Sequence, residues 1–162
     1  MNYRAYTVLF LCTANSARSI FAEALLNRMG KGRFLAYSAG SHAAGQVHPY
    51  TLDVLEEHGI SADGLRSKNW DEFARTEAPT MDFVITVCDK AAGEQCPVWP
   101  GQPMTAHWGF PDPAAAAGDE MQRRRKFERV YLEIARRIEL LLALPVDKLD
   151  RLSLQQRVRD MG

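Results

Sequence analysis

A cysteine and an arginine stand six positions apart in the stretch CTANSARS, where an apolar run ends at Cys12 and a helical pattern begins near Arg18. The residues between them are small enough to curl, so that successive backbone N–H groups can point at an anion. The positive end of the helix and the planar guanidinium of Arg18 add to this attraction. The residues of this predicted oxyanion site are Thr13, Ala14, Asn15, Ser16, Ala17 and Arg18.

The same positive surroundings act on the thiol of Cys12. They predict a depressed pKa for Cys12 and therefore a thiolate nucleophile at neutral pH. Ser19, which follows the arginine, can donate a hydrogen bond to that sulfur. The alternative is that Cys12 is a small buried hydrophobic residue and Arg18 lies on the surface of the helix, because the spacing alone recurs by chance. Placed between a buried strand and a helix, the pattern favours nucleophilic chemistry on a tetrahedral oxyanion.

A proton donor for such chemistry is offered by Asp112 in the stretch FPDPA. The prolines on either side of it restrict the backbone of the loop that carries this carboxyl group. An aspartate before a proline is also a common turn residue, so these residues alone leave a catalytic and a structural role open.

The elements that position these residues alternate between strand and helix. Apolar runs predict strands, and helical spacing with Gly or Pro at the ends predicts helices. The predicted strands are Tyr6 to Leu11, Phe34 to Ser38 and Asp82 to Val87. The predicted helices run from Ser19 to Gly30, Pro49 to His58, Trp70 to Arg75 and Glu120 to Leu144, with a long loop from Asp89 to Pro113. This alternation predicts a single-domain α/β sandwich around a parallel sheet, spanning residues 1–145, with a tail of unassigned role at 146–162.

A second cysteine also ends a predicted strand. The carboxyl ends of parallel strands meet at one edge of the sheet, so Cys88 is expected to lie near Cys12. With Cys96 the chain has 3 cysteines, an odd number that speaks against a structural disulfide framework. The alternative for Cys88 and Cys96 is packing at a strand end and an incidental loop position.

Composition narrows the function classes. The 162 residues carry a net charge of zero, which gives no general electrostatic case for binding nucleic acid. No segment approaches the roughly 18 apolar residues that span a membrane. The start of the sequence has no signal-peptide layout, and a cytoplasmic location is the expectation.

The motifs VLFLCTANSARSIFAEALL and YSAG resemble the low-molecular-weight protein tyrosine phosphatase family. The stretches VITVCDKAAGEQCPVWPG and HWGFPDPA resemble its branch of arsenate reductases that are recycled by thioredoxin. The resemblance implies a four-stranded parallel sheet between helical layers, and it implies that Asp112 is the general acid. It also implies a relay in which Cys88 attacks Cys12 and Cys96 then attacks Cys88. A Cys88–Cys96 disulfide would be left for thioredoxin or another thiol system, with no tightly bound cofactor.

Three departures from the reductase pattern stand out. The two later cysteines are separated by seven residues rather than the usual six, and Ala14 and Ala17 replace Gly and Cys. A positive φ at Ala14 would strain the loop. Some relatives hold potassium with residues that correspond to Asn15, Glu23 and Ser38, and Lys68 stands where a further acidic residue is expected. Its ammonium group is predicted to replace the cation.

Two other functions remain open from the sequence. A low-molecular-weight phosphatase acting on phosphotyrosine or small phosphoesters needs only Cys12, Arg18 and Asp112, and Tyr50 or Trp108 could wall its slot. A metal or metalloid binder is disfavoured, because the cysteines and scattered histidines form no Cys-x2-Cys or His-x3-His pair, and no metal site is predicted.

Overall fold

The computed structural model describes residues 5–88 and 99–162. The described chain has four strands and four α-helices, which alternate up to the third strand, with short 3₁₀ helices at Trp70–Phe73, Pro113–Ala115 and Val146–Lys148. The strands are β1 (Tyr6–Cys12), β2 (Phe34–Gly40), β3 (Phe83–Thr86) and β4 (Met104–His107). The helices are α1 (Arg18–Met29), α2 (Pro49–Glu57), α3 (Glu120–Leu142) and α4 (Arg151–Asp160).

The four strands form one parallel sheet in the order β2-β1-β3-β4. Its central strand β1 is buried on both faces, as expected for a continuous apolar run. Val8 and Phe10 face the core under the helices, whereas Leu9 and Leu11 face a second cluster with Trp70. The predicted α/β fold, with a four-stranded parallel sheet flanked by helices, is confirmed.

The register brings the functional strand ends to one edge. Cys12 at the end of β1 is paired with Gly40 at the end of β2, and Leu11 is paired with Thr86 at the end of β3. The oxyanion loop, which follows β1, therefore lies beyond the carboxyl ends of the strands. This is where open α/β sheets bind their ligands.

Strand β4 lies inside the segment that the sequence predicts as a loop. It is short, and of its four residues only Met104 is buried. Neither an apolar run nor a clear alternation marks it, so it forms because β3 offers it a free edge. Among the described residues, β4 ends the sheet on that side.

The tail after Pro145 packs on this edge strand. Leu154 and Val158 of α4 are buried in the main core, and the carbonyl of Val158 accepts a hydrogen bond from the indole of Trp108 at 2.9 Å. Arg159 donates from Nε to the carbonyl of Thr105 in β4 at 2.9 Å. The segment from residue 146 onward is thus a packed part of the domain.

Candidate active site

The oxyanion loop joins β1 directly to α1. Its backbone is held from outside, because the carbonyls of residues 12, 13, 14 and 16 each accept a hydrogen bond from the chain between residues 41 and 51. The backbone donors are Ser41 to Cys12 (3.2 Å), His42 to Thr13 (2.9 Å), Ala44 to Ala14 (2.9 Å) and His48 to Ser16 (3.0 Å). Two hydroxyl groups add to this hold, with Ser67 donating to Ala14 and Thr51 donating to Ser16.

The direction of these carbonyls fixes the direction of the amides. In a trans peptide the N–H of one residue points opposite to the C=O of the residue before it. With the carbonyls turned outward, the N–H groups of Thr13, Ala14, Asn15 and Ala17 turn inward. The N–H of Asn15 indeed acts on the sulfur of Cys12 and works to lower its pKa. The loop therefore has the form of an anion-binding nest.

Asn15 is the residue that fixes the loop from within. It is fully buried, and its amide nitrogen donates to Ser19 at 2.8 Å and to Ser38 at 3.0 Å. Its amide oxygen accepts from the backbone N–H of Lys68 at 2.9 Å. Asn15 has φ of 51°, in the left-handed region, which asparagine tolerates better than most residues. Ala14 is not in that region, so the strain expected from its missing glycine does not arise.

Gly40 lets β2 approach the loop closely. A Cβ atom at this position would lie 2.3 Å from the carbonyl oxygen of Thr13 and 3.0 Å from the amide nitrogen of Asn15. Only glycine fits between the two backbones without displacing one of them. Sequence analysis did not single out Gly40, although the quoted YSAG ends on it.

Arg18 and Asp112 meet over the loop. Arg18 donates from Nη1 to the carbonyl of Phe110 at 3.1 Å, and its Nη2 lies 3.8 Å from Oδ2 of Asp112. Asp112 also accepts a hydrogen bond from the backbone N–H of Ala114 at 3.0 Å, which caps the following 3₁₀ helix. The turn role and the catalytic placement, which the sequence leaves as alternatives, therefore coexist in one carboxyl group.

A pocket of about 460 Å³ collects these groups. Six of the seven residues from 12 to 18, all but Asn15, line it on one side, and Phe110, Pro111, Asp112 and Ala114 line it on the other. Phe110 is the aromatic residue among its described lining residues. Trp108, which the sequence left as one possible wall of a phosphotyrosine slot, is 1% exposed, belongs to the core and is not among the described lining residues.

Cys88 lines the same pocket as Cys12. Both side chains are buried, and the thiol of Cys88 acts on the thiol of Cys12 strongly enough to raise its pKa. The hydroxyl of Thr13 lies 3.5 Å from the sulfur of Cys88, within hydrogen-bonding distance. The neighbourhood of the two cysteines, predicted from their strand ends, is confirmed, whereas the contact of Thr13 with Cys88 was not predicted.

The pKa of Cys12 differs from the sequence expectation. The interaction with the Cys88 thiol and burial both raise the pKa of Cys12, and they outweigh Arg18 and the N–H of Asn15, which lower it. The expected depressed pKa is therefore wrong with Cys88 alongside. Arg18 and the N–H of Asn15 are the groups at this site that favour the thiolate of Cys12.

Two predicted site residues stay untested by these contacts. Ser19 is buried and accepts from Asn15, so its own hydroxyl proton can still be donated towards the loop. The hydrogen bond from Ser19 to the sulfur of Cys12 stays a prediction. Cys96 lies outside the described residues.

Lys68 lies in a polar network behind the loop. Its Nζ donates to the carbonyl of Arg66 at 2.7 Å and lies 3.7 Å from Oε1 of Glu23. Glu23 accepts a short hydrogen bond of 2.5 Å from Ser38, which in turn accepts from Asn15. Burial raises the pKa of Glu23 and lowers the pKa of Lys68, and the two groups oppose these shifts in each other.

Metal and membrane features are limited in the part of the chain described. Among residues 5–88 and 99–162, no group of three or more His, Cys, Asp or Glu side chains is arranged to hold a metal ion. None of the helices in these residues combines the length and the apolar character that crossing a membrane requires.

Comparison with known proteins places this pocket in context. A family model described as low molecular weight phosphotyrosine protein phosphatase matches residues 7–155. An arsenate reductase of Bacillus licheniformis is 38% identical over 133 residues, which cover 82% of this chain and 92% of that protein.

Solved structures give the same picture. The structure of an arsenate reductase in the phosphate binding state is 29% identical with a TM-score of 0.68, and the match covers 85% of this chain and 97% of that one. A low molecular weight protein tyrosine phosphatase from T. tengcongensis has a TM-score of 0.67 at 24% identity, covering 90% of this chain and 100% of that one, and shares the fold.

Proposed function

The chain belongs to the low molecular weight phosphotyrosine protein phosphatase family. Because it is similar to arsenate reductases within that fold, we propose that it is an enzyme that reduces arsenate to arsenite. The observation that carries this proposal is the pair of buried thiols, Cys12 and Cys88, that line one oxyanion pocket. Hydrolysis of a phosphoester requires a single nucleophilic thiol, whereas reduction by thiols requires two.

In the first step the thiolate of Cys12 attacks the arsenic atom of arsenate. The inward amides of the loop and the guanidinium of Arg18 neutralise the charge on the arsenate oxygens. Asp112, beside Arg18 at the pocket mouth, gives a proton to the leaving oxygen, which departs as water. An arsenic(V) adduct bonded to the sulfur of Cys12 results.

In the second step the thiol of Cys88, on losing its proton, attacks the sulfur of Cys12. The electron pair of the sulfur–arsenic bond passes to arsenic, which is reduced from As(V) to As(III) and leaves as arsenite. The two thiols are oxidised to a Cys12–Cys88 disulfide, so two electrons are given and two are taken. The placement of both thiols in one pocket supports this step, and the hydroxyl of Thr13 can stabilise the attacking sulfur of Cys88.

In the third step Cys96 attacks Cys88 and releases Cys12. The remaining Cys88–Cys96 disulfide is reduced by a dithiol, for which we propose thioredoxin, or by another thiol system such as glutathione with glutaredoxin. A disulfide at the buried Cys12 would be hard for a protein reductant to reach, which supports transfer to a second site before reduction.

The pocket also bears on the choice between arsenate and phosphotyrosine. A phosphotyrosine ring needs a slot with aromatic walls on both sides, and of the described aromatic residues Phe110 lines this pocket while Tyr50 and Trp108 do not. A small inorganic oxyanion needs no such slot. Hydrolysis of phosphoesters is the second candidate function, because the family takes its name from phosphatase activity and the same oxyanion loop can bind phosphate-like groups.

Lys68 supports a further part of the proposal. Its ammonium group already lies against Glu23, and Asn15, Ser38 and Glu23 are hydrogen-bonded to one another. These residues therefore do not fit a potassium ion, and we propose that the lysine supplies the positive charge there. Arsenate reduction is expected to proceed at equal rates in sodium and potassium salts of the same ionic strength.

The decisive experiment measures NADPH consumption with arsenate, thioredoxin and thioredoxin reductase for the parent, Cys88→Ser and Cys96→Ser. Hydrolysis of p-nitrophenyl phosphate by each protein is the matched control for the oxyanion pocket. Loss of arsenate turnover in both variants, with hydrolysis retained, is expected. A parent that hydrolyses the ester but shows no turnover with thioredoxin or with glutathione and glutaredoxin would be a phosphatase.

A further inference from the structure

Arg137 of α3 packs against the back of the segment that carries Asp112. We call residues 108–112 the acid segment. The guanidinium carbon of Arg137 lies 5.2 Å from the ring centre of Phe110 and 5.9 Å from that of Trp108. Both distances are within the range of cation–π contact. One arginine therefore touches the two aromatic side chains of this segment.

Stability does not explain this placement well. The Nη1 atom of Arg137 is buried and has no hydrogen-bond partner in the part of the chain that the structure describes. Burying such a donor opposes folding by an amount similar to what a cation–π contact contributes. An aliphatic side chain of similar length would pack there without this cost. The arginine is thus better explained by what it holds than by the stability it adds.

Phe110 is held by contacts to its ring, its carbonyl and its N–H. Its ring faces Arg137, while its carbonyl accepts the hydrogen bond from Arg18 at 3.1 Å. Its N–H donates to the carbonyl of Val87 at 3.2 Å, which ties it to the end of the sheet. Phe110 is therefore the last firmly held residue before Asp112.

Trp108 fixes the other end of the acid segment. Its N–H donates to the carbonyl of Thr86 at 2.7 Å, and its indole donates to Val158 in α4. The guanidinium of Arg137 thus contacts both Trp108, at the anchored end, and Phe110, whose carbonyl binds Arg18. Asp112 itself is 46% exposed, so its position depends on what holds the residues before it.

We propose that Arg137 is a positioning residue, which by stacking on Phe110 and Trp108 holds Asp112 where it can protonate the leaving oxygen. This inference rests on the proposed chemistry of Cys12 and Asp112. It extends that chemistry to a residue that lies on another helix and outside the residues lining the pocket. General-acid catalysis is sensitive to sub-ångström placement, so loosening the segment should weaken proton transfer more than oxyanion binding.

The test compares two aryl phosphates that differ in their need for an acid. Phenyl phosphate has a poor leaving group and needs protonation, whereas 2,4-dinitrophenyl phosphate leaves with little help. Arg137→Met is expected to lower kcat/KM for phenyl phosphate about tenfold and for the dinitrophenyl ester less than about twofold. Arg137→Lys, which keeps the charge but cannot stack flat on two rings, should fall between Arg137→Met and the parent.

Two matched variants make the result specific. Arg136→Met removes the exposed neighbouring arginine of the same helix and should leave both substrates within about twofold of the parent. Asp112→Asn should lose phenyl phosphate hydrolysis selectively, by about 10²-fold. Adding Arg137→Met to Asp112→Asn should cause no further selective loss, because the acid is already gone.

Each other outcome overturns the inference. If Arg137→Met loses kcat/KM equally on both esters, the arginine only supports the fold. If Arg137→Met loses no activity while Asp112→Asn does, Arg137 does not position the acid. An unimpaired Asp112→Asn would remove the acid role of Asp112 and this inference with it, while arsenate reduction through the thiols would still stand. If Arg137→Met does not fold, the same comparison is made with Arg137→Lys.

Discussion

Residues 12–18 and residues 110–112 face each other across one pocket, but the carbonyls of the first are fixed by neighbouring backbone, whereas the acid Asp112 is held through its side chain. The carbonyls of Cys12, Thr13, Ala14 and Ser16 are all fixed from outside by neighbouring backbone. In the acid segment, Asp112 is held by Arg18 and by the turn that it caps.

This difference separates two kinds of requirement. The oxyanion loop must present several amides at once, so its shape has to be built into the fold before substrate arrives. The acid acts through a single half-exposed carboxyl group at the end of a segment that is anchored elsewhere, so that group can change without disturbing the fold. Changes in the loop should therefore affect stability and activity together, whereas changes at Asp112 should affect activity alone.

The largest effect is expected from Gly40→Ala, which drives a methyl group into the backbone of the loop. The added Cβ would lie 2.3 Å from the carbonyl oxygen of Thr13. We expect a loss of about 3 kcal/mol in the free energy of unfolding. Since the loop must shift, kcat/KM should also fall by more than about 10²-fold. Urea unfolding and p-nitrophenyl phosphate kinetics measure the two effects.

Gly59→Ala is the matched control. Unlike Gly40, Gly59 has a positive φ, and nothing lies within 4 Å of the added methyl group, so this change should cost about 1 kcal/mol of stability and leave kinetics unaltered. If Gly40→Ala kept full activity, the close approach of β2 would not be what shapes the loop.

The second prediction concerns Asp112→Asn. The amide oxygen of asparagine can still accept from Ala114, so the turn keeps its cap. The free energy of unfolding should change by less than about 0.5 kcal/mol, because the carboxyl is 46% exposed. kcat/KM for phenyl phosphate should fall about 10²-fold. A large loss of stability in thermal unfolding would contradict the division between loop and acid segment.

The third prediction compares the hub of the buried network with one of its partners. Asn15→Ala removes three hydrogen bonds at a position with positive φ and should destabilise the protein by about 3 kcal/mol. Ser19→Ala removes one acceptor and leaves Asn15 bonded to Ser38 and Lys68, so it should cost about 1 kcal/mol. Equal losses in urea unfolding would show that Asn15 is not the residue that fixes the loop.

The smallest effect is expected in the pH dependence of stability. Burial raises the pKa of Glu23 above its ordinary value of 4.5, so between that value and the raised pKa the folded state binds more protons than the unfolded state. Stability from this group is present below pH 4.5 and is lost as the pH rises through the raised pKa. The free energy of unfolding of the parent should therefore fall, relative to Glu23→Gln, as the pH is raised from 4 to 7. Parallel curves would contradict this.

Local patterns were enough to predict part of the site. Cys12 and Arg18 were predicted to share one loop because each stands beside its own strand or helix, whereas the acid role of Asp112 came from the family resemblance. The closeness of Cys88 followed from parallel strands, which bring their carboxyl ends together whatever lies between them in sequence. These predictions needed only short local patterns and the rule for parallel strands.

Other features depend on contacts between distant parts of the chain. The raised pKa of Cys12 comes from Cys88, which is 76 positions away, and from burial by the whole fold. Gly40 matters because another backbone passes within van der Waals distance of it, and no residue beside it reveals that. The sequence could not decide whether Trp108 walls a slot, and its indole turns towards α4. Strand β4 carries no pattern of its own and depends on β3.

Helix α4 has a consequence for how the molecules behave towards one another. It lies along β4, the last strand on that side among the described residues, and Arg159 occupies the carbonyl of Thr105. An uncovered edge strand offers its backbone to the sheet of another chain and so promotes aggregation. A chain that stopped before Arg151 would keep every described residue of the pocket, yet it is expected to self-associate and precipitate at concentrations where the full chain stays dispersed. Helix α4 is thus expected to keep the protein from aggregating through its edge strand.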